Sequence, residues 1–276
     1  MVRACVSRGW IFVSPDYRLI PESTAQASVE DAIDAYQWVL SRLPSDLDCN
    51  VASVLMAGSS AGGYLALATA TSVPKAPSAL LLIYGMLDPT FDRYLNPGTN
   101  IFGRPPKETS STLANFPIAG DDDDRKTVSA YPLPSDPSSD ARFALIEALH
   151  IDALIPDYMT GVPGLSNSIR AHGVEAVPHV HRNLFPLSFG DMSKLPPVLF
   201  IHGEGDSAVP SDLSTRAAEV LRKAGVEVDL QLPTDVEHGF DARAGDIDIE
   251  GPDGEKVAAY HVLRHAVKFL DSFNAA

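Results

Sequence analysis

Val51-Ala52-Ser53-Val54-Leu55-Met56-Ala57-Gly58-Ser59-Ser60-Ala61-Gly62-Gly63-Tyr64-Leu65-Ala66-Leu67-Ala68 is the stretch whose reading decides the fold. An apolar run runs straight into a Gly-x-Ser-x-Gly pentad, and a small-residue apolar segment suited to a helix follows. Strand, tight turn and helix in that order put the central serine on a sharp corner. Its Oγ would then project above a sheet, with a helix N-terminus beneath it. The flanking glycines are expected because a Cβ in so cramped a turn would collide with the neighbouring strand or helix. Ser60 is the candidate nucleophile.

The alternation extends both ways from this corner. Trp10-Ile11-Phe12-Val13, bounded by Gly9 and Ser14-Pro15-Asp16, reads as a short buried strand. Val29, Ile33, Tyr36, Leu40 and Leu43 recur at helical spacing, Ser28 and Asp31 have capping-box spacing, and Pro44 marks the end. Ala79-Leu80-Leu81-Leu82-Ile83-Tyr84 and Pro197-Val198-Leu199-Phe200-Ile201 are further apolar strands. A helix over Leu213, Ala217, Val220 and Leu221 closes at Gly225. Val226, Val228, Leu230 and Leu232 then alternate with Glu227, Asp229 and Gln231, the period of a strand with one wet face. A last helix turns Tyr260, Leu263, Val267 and Leu270 inward. Apolar strands alternating with helices predict an α/β fold whose mostly parallel sheet is covered on both faces.

Between residues 85 and 195 this pattern lapses into prolines, serines and glycines, with one clear helical stretch near 141–149. The expected organisation is a core formed by residues 1–84 and 196–276. Residues 85–195 would be a cap- or lid-like, partly irregular insertion. The aspartates at 121–124 lack the ligand spacing of a calcium loop and read as a solvated turn.

Composition narrows the function classes. With 276 residues and 45% hydrophobic content, the chain can bury a sizeable core. A net charge of −15 argues against nucleic acid or an anionic membrane as partner, since both repel an acidic surface. Cys5 and Cys49 are too few for a disulfide framework. No run approaches the length of a bilayer span, and the first residues do not read as a signal peptide, so a soluble, cytoplasmic protein is expected.

A serine hydroxyl is a weak nucleophile at neutral pH and needs a histidine base oriented by a carboxylate. Open α/β sheets build their sites on the loops beyond the strand C-termini. Two residues meet that condition. Asp206 follows the Val198 strand in His202-Gly203-Glu204-Gly205-Asp206, and His238 follows the Val226 strand in Glu237-His238-Gly239-Phe240. Glu204 is the alternative acid, and a turn or capping role competes for Asp206. His202 reads as a packing residue at a strand end. His179 and His181 share one face of an extended segment, but no third ligand accompanies them, so no metal is expected.

Asp16-Tyr17-Arg18-Leu19-Ile20-Pro21-Glu22 resembles the Asp-Tyr-Arg-Leu-x-Pro-Glu segment of the hormone-sensitive-lipase-like esterases, the fold-3 group of the α/β-hydrolases. With Gly58-Ser59-Ser60-Ala61-Gly62, the Asp206 loop and His238-Gly239-Phe240, the resemblance covers about the whole chain outside the insertion. It implies a carboxylester hydrolase of small-molecule esters that needs no cofactor. Ser60 would attack the carbonyl, His238 would move the proton, Asp206 would fix the histidine tautomer, and the Ala61 backbone N–H would hold the oxyanion. Arg18 and Glu22 are expected to form a local ion pair that holds a turn.

One departure from the family is plain. Its members carry a His-Gly-Gly-Gly segment upstream of Asp-Tyr-Arg-Leu, whose amides supply most of the oxyanion hole, and no such segment occurs here. The strand leading into that segment would lie between the 10–13 and 51–57 strands. The flanking strands would therefore close up, residues 10–13 would be displaced, or the sequence would continue upstream of Met1, which is the reading favoured. Loss of one oxyanion donor costs about 10²–10³ in turnover, so these residues alone are expected to be destabilised and weakly active. Two other functions fit the same motifs: an amide or formamide hydrolase of arylformamidase type, and a ligand-binding protein that has lost catalysis. A prolyl-oligopeptidase-type peptidase fits less well, because no propeller repeats precede the catalytic segment.

Overall fold

The computed structural model describes residues 1–120, 126–132, 139–234, 236–245 and 247–274 of the 276. The aspartates at 121–124 lie outside the described residues. In chain order the elements are α1 (Val2–Ser7), α2 (Ala25–Ser41), α3 (Leu43–Asp46), β1 (Leu55–Ser59), α4 (Ala61–Ser72), β2 (Ala79–Ile83), α5 (Asp92–Leu95), α6 (Ser110–Asn115), α7 (Ala141–Ile151), α8 (Ile155–Thr160), α9 (Leu165–His172), α10 (Pro186–Phe189), β3 (Val198–Ile201), α11 (Asp212–Lys223), β4 (Val228–Gln231), α12 (Pro252–Glu255) and α13 (His261–Asp271). They fall into two compact units, one of residues 1–15, 35–87 and 191–276, the other of residues 16–34 and 88–190.

The first unit is built on four parallel strands in the order β1-β2-β3-β4. Ser59 pairs with Ile83, Ile83 with Ile201 and Ile201 with Gln231, so the C-terminal ends of all four strands lie level. Side chains alternate between the two faces of a strand. Leu81, Ile83, Leu199 and Ile201 share a core cluster with Leu263, Ala266, Val267 and Leu270 of α13. Leu80, Leu82, Val198 and Phe200 point to the opposite face and are buried as completely. This two-sided burial is why β2 and β3 are apolar throughout, and each fully buried Leu or Phe contributes about 1.5–3 kcal/mol. Helix α4 packs on β1 and β2, and α11 on β3 and β4. Since α4 buries every residue from Gly63 to Ala70, its apolar positions cover the whole circumference rather than one stripe.

The amino-terminal expectation needs correcting. Residues 10–13 form no strand, and Ile11 and Phe12 are each half exposed. Among the described residues β1 pairs only with β2, so its outer edge offers no neighbouring ladder that could extend to 10–13. Trp10 alone of the four is held, against the core cluster. Strand β1 itself begins at Leu55, four residues later than the apolar run that announces it.

The second unit is more helical than its composition suggests. Pro156 sits in the first turn of α8, where its missing N–H costs nothing, and Gly161 closes that helix in the left-handed region at φ 76°. Residues that read as breakers are therefore helix boundaries. Asp157 accepts from the Gly164 amide at 2.5 Å and the Ser166 amide at 2.7 Å, tying the end of α8 to the start of α9. The Arg18–Glu22 pair does not form. Arg18 binds Asp31 at 2.8 Å, while Glu22 binds Arg142 at 2.6 Å. Ser28 donates to the Arg18 carbonyl instead of capping α2, which already begins at Ala25.

Candidate active site

The corner after β1 is strained, as its glycines foretell. Ser60 has φ 52° and ψ −121°, a region that residues with a Cβ rarely occupy. Its amide donates to the Ile83 carbonyl at 3.0 Å, and its carbonyl accepts from Met86 N at 3.1 Å. These two bonds pin the corner to the end of β2. A Cβ on Gly58 would lie 2.1 Å from the Gly62 carbonyl oxygen, and one on Gly63 would lie 2.9 Å from the Gly85 Cα. Gly62 differs from the expectation, since a Cβ there would meet nothing within 4 Å. The close approach belongs to Gly58 and Gly63.

Ser60, Asp206 and His238 come together beyond the ends of β1, β3 and β4. His238 Nδ1 is 2.7 Å from Asp206 Oδ2, and its Nε2 is 3.0 Å from Ser60 Oγ. An ionised carboxylate only accepts, so Nδ1 carries the proton and the Nε2 lone pair faces the serine hydroxyl, which donates to it. The Asp206 side chain is 1% exposed and that of His238 14%. Asp206 Oδ1 also accepts from the amides of Ala208 and Val209, each at 2.9 Å. Burial by itself would raise the Asp206 pKa. Hydrogen bonds from His202 and His238, the His238 charge and the Val209 amide outweigh it and hold the carboxyl well below its usual range.

The other titratable residues fall elsewhere. Glu204 is exposed and has no part in this line of groups. His202 is fully buried, its Nε2–H donates to the Val209 carbonyl at 2.8 Å, and Nδ1 pairs with Ser214 Oγ at 2.8 Å. It braces the loop that carries Asp206. His179 and His181 lie in a 3₁₀ turn rather than an extended segment. Among the described residues no three His, Cys, Asp or Glu side chains cluster as metal ligands. Ala61 is the first residue of α4 and is exposed. No backbone carbonyl among the described residues accepts from its amide, and a helix N-terminus there favours negative charge.

Two neighbours escape the motif reading. The Tyr84 ring lies 4.4 Å from the His238 ring and its hydroxyl bonds the Asp241 carboxylate. Burial, then the Asp241 charge, pushes the phenol far above its ordinary range. Glu237 receives Ser207 Oγ at 2.7 Å and the His238 amide at 2.9 Å. A residue directly after the second strand, and one directly before the histidine, were the available signals; neither residue type is diagnostic alone. Together the groups can relay one proton from a serine hydroxyl to an imidazole held in a single tautomer.

Comparison with known proteins agrees with this geometry at the level of fold. Among the described residues no helix is long and apolar enough to cross a membrane. The family model for the α/β-hydrolase fold matches residues 1–185, and that of the prolyl oligopeptidase family matches residues 141–250. The 5-methylorsellinic acid synthase of Aspergillus terreus is 26% identical over 87% of this chain, which spans 10% of that protein. Lipase 2 of a Moraxella species is 27% identical over 86% of the chain, which spans 48% of the lipase. The chain thus covers about a tenth of the fungal synthases and about half of the lipase. Among solved structures, a hormone-sensitive lipase from a metagenome library superposes with a TM-score of 0.53 at 21% identity, over 93% of this chain and 65% of the other. A Pyrobaculum calidifontis esterase gives 0.52 at 24% identity, over 98% and 67%. The architecture is that of the α/β-hydrolase fold, and the chain belongs to the α/β-hydrolase fold-3 family.

Proposed function

We propose that the protein is a serine carboxylester hydrolase working through an acyl-enzyme on Ser60. The observation that carries this reading is the line Asp206 Oδ2, His238 Nδ1, His238 Nε2, Ser60 Oγ, with contacts of 2.7 and 3.0 Å. Ser60 Oγ attacks the ester carbonyl carbon while its proton passes to His238 Nε2. Asp206 stabilises the imidazolium, and the oxyanion of the tetrahedral intermediate takes the Ala61 N–H. Collapse breaks the bond to the alkoxy oxygen, which leaves with the proton from Nε2. Water, deprotonated by the same nitrogen, then attacks the acyl carbon and releases the acid and Ser60. No cofactor enters this sequence.

Ala61 is the oxyanion donor that this reading names, and no His-Gly-Gly-Gly segment occurs in the 276 residues. Each absent donor is worth about 10²–10³ in turnover, so slow hydrolysis by this chain alone is part of the proposal. The division into a core of 1–84 and 196–276 with a cap-like 85–195 belongs to it as well, as does a cytoplasmic setting. Hydrolysis of p-nitrophenyl butyrate, with Ser60→Ala as control, tests the reaction. Turnover that survives Ser60→Ala sinks it. A folded protein whose Ser60 resists a fluorophosphonate would instead be a ligand-binding pseudo-hydrolase.

A second reading is hydrolysis of an amide or formamide bond. The match of residues 141–250, which include Asp206 and His238, to the prolyl oligopeptidase family favours testing it. Comparing acetate esters with N-formylkynurenine and a prolyl amide separates the two.

A further inference from the structure

The proposed acid and base stand on different loops, and a third carboxylate ties those loops together. Ser207 directly follows Asp206, and Glu237 directly precedes His238. Glu237 Oε1 accepts from Ser207 Oγ at 2.7 Å, and Oε2 accepts from the Ser207 amide at 3.2 Å. The same Oε2 accepts from the amide of His238 at 2.9 Å. One carboxylate thus serves three donors, two on the acid loop and one on the residue that carries the base. It runs parallel to the Asp206–His238 bond of 2.7 Å and adds side-chain bonds next to both groups, beyond the main-chain bond of 3.0 Å from the Glu204 amide to the Pro233 carbonyl that also joins the two loops. The imidazole has its own contacts at Nδ1 and Nε2, and what Glu237 holds is the main chain from which that ring projects.

We propose that Glu237 is the positioning residue of this site, fixing the loop of His238 against that of Asp206 so that Nε2 meets Ser60 Oγ. The inference rests on the serine-hydrolase reading. Three N–H and O–H donors converge on Glu237, and an ionised carboxylate, with four lone-pair sites and no proton, suits all of them. A glutamine can keep the same bonds. Its carbonyl oxygen would take both amides, and its NH₂ would donate to Ser207 Oγ, since a hydroxyl can reverse its role. Alanine cannot.

The test compares Glu237→Ala, Glu237→Gln and Ser207→Ala with the unmodified protein. The readouts are ester turnover and the downfield proton resonance of His238 Nδ1–H donated to Asp206. Misplacing a reacting group by about 1 Å costs about 10²-fold, so Glu237→Ala should lose about that in kcat with KM little changed. Its Nδ1–H resonance should broaden or vanish. Glu237→Gln should restore kcat to within several-fold of the parent and keep the resonance. Ser207→Ala should lose less than Glu237→Ala, and the double variant no more than Glu237→Ala alone. A folded Glu237→Ala with unchanged kcat and resonance overturns the proposal, as does a glutamine variant as impaired as the alanine one. Should Glu237→Ala fail to fold, an unaltered kcat and resonance in Ser207→Ala overturn it. Ser60→Ala in the same assay judges the hydrolase reading separately, and the resonance reports on Glu237 whether or not the protein turns over.

Discussion

Replacing Gly203 by alanine places a methyl group where the two loops of the site meet. Gly203 follows β3 and precedes Asp206 by three residues, and a Cβ on it would lie 2.1 Å from the carbonyl oxygen of Val236, two residues before His238. The carbonyl carbon and the Val236 Cγ2 would each be at 2.9 Å. Cβ contacts below 3.0 Å are essentially never seen, so the Gly203 and Val236 backbones must separate from 2.1 to at least 3.0 Å, about 0.9 Å. Whichever side gives, the loop of His238 is displaced relative to that of Asp206, because the nearest obstacle is main chain and no rotamer relieves it. A shift of that size at a catalytic group costs about 10²-fold in rate. Overpacking of a fitted interior costs about 1–3 kcal/mol in addition. Gly203→Ala should therefore fold with a lower urea midpoint and hydrolyse p-nitrophenyl butyrate about 10²-fold more slowly. Gly205→Ala is the internal control: its Cβ would meet nothing within 4 Å, and both quantities should stay near the parent values. A Gly203→Ala protein with parental kcat and midpoint would refute the claim that backbone contact between these loops sets the histidine.

The same steric logic separates the two glycines of the pentad. Gly58→Ala should abolish fluorophosphonate labelling of Ser60 and destabilise the fold, whereas Gly62→Ala should label nearly as fast as the parent; equal damage from both would contradict the geometry. Asp206→Asn keeps the shape of the acid but not its charge, and an amide can donate to Nδ1 and select the wrong tautomer, so kcat should fall by about 10⁴ at unchanged fold by circular dichroism. Because the Asp206 pKa is lower folded than unfolded, its ionisation contributes stability that is complete above the unfolded value of about 3.9 and is lost as pH falls through the folded one. Melting temperature followed from neutral pH down to about pH 2 should thus fall more steeply for the parent than for Asp206→Asn, and superimposable curves would count against the perturbed carboxyl. In the second unit, Arg142→Ala leaves the Glu22 carboxylate, 14% exposed, without its 2.6 Å partner and should cost about 1–3 kcal/mol by urea denaturation, with a null effect arguing against that pairing.

How far the sequence led depends on the range of the forces involved. Strands β2 and β3 were legible because burial on both faces leaves no polar position, and Leu80 to Ile83 or Val198 to Ile201 can be little else. The meeting of Ser60, Asp206 and His238 is legible in the sequence because each stands on a loop following a strand, and parallel strands bring such loops to one edge whatever the packing. Residues 10–13 were misread for the opposite reason. Four apolar β-formers state a preference, but a strand exists only when a neighbour supplies its ladder, and among the described residues no strand pairs with the outer edge of β1. Arg18 shows the same limit for charge: Glu22 is nearer in sequence, yet Asp31 of α2 offers both oxygens and takes the bond. Glu237 lies between these cases. Its neighbour His238 stands out by the strand it follows, but the three donors converging on Glu237 come from a loop thirty residues away and from a main-chain amide that every residue except proline possesses. A pattern can announce which group reacts; the group that aims it is set by a tertiary contact, and so it is the Ser207 and Glu237 substitutions that bear on whether aim, rather than identity, limits this site.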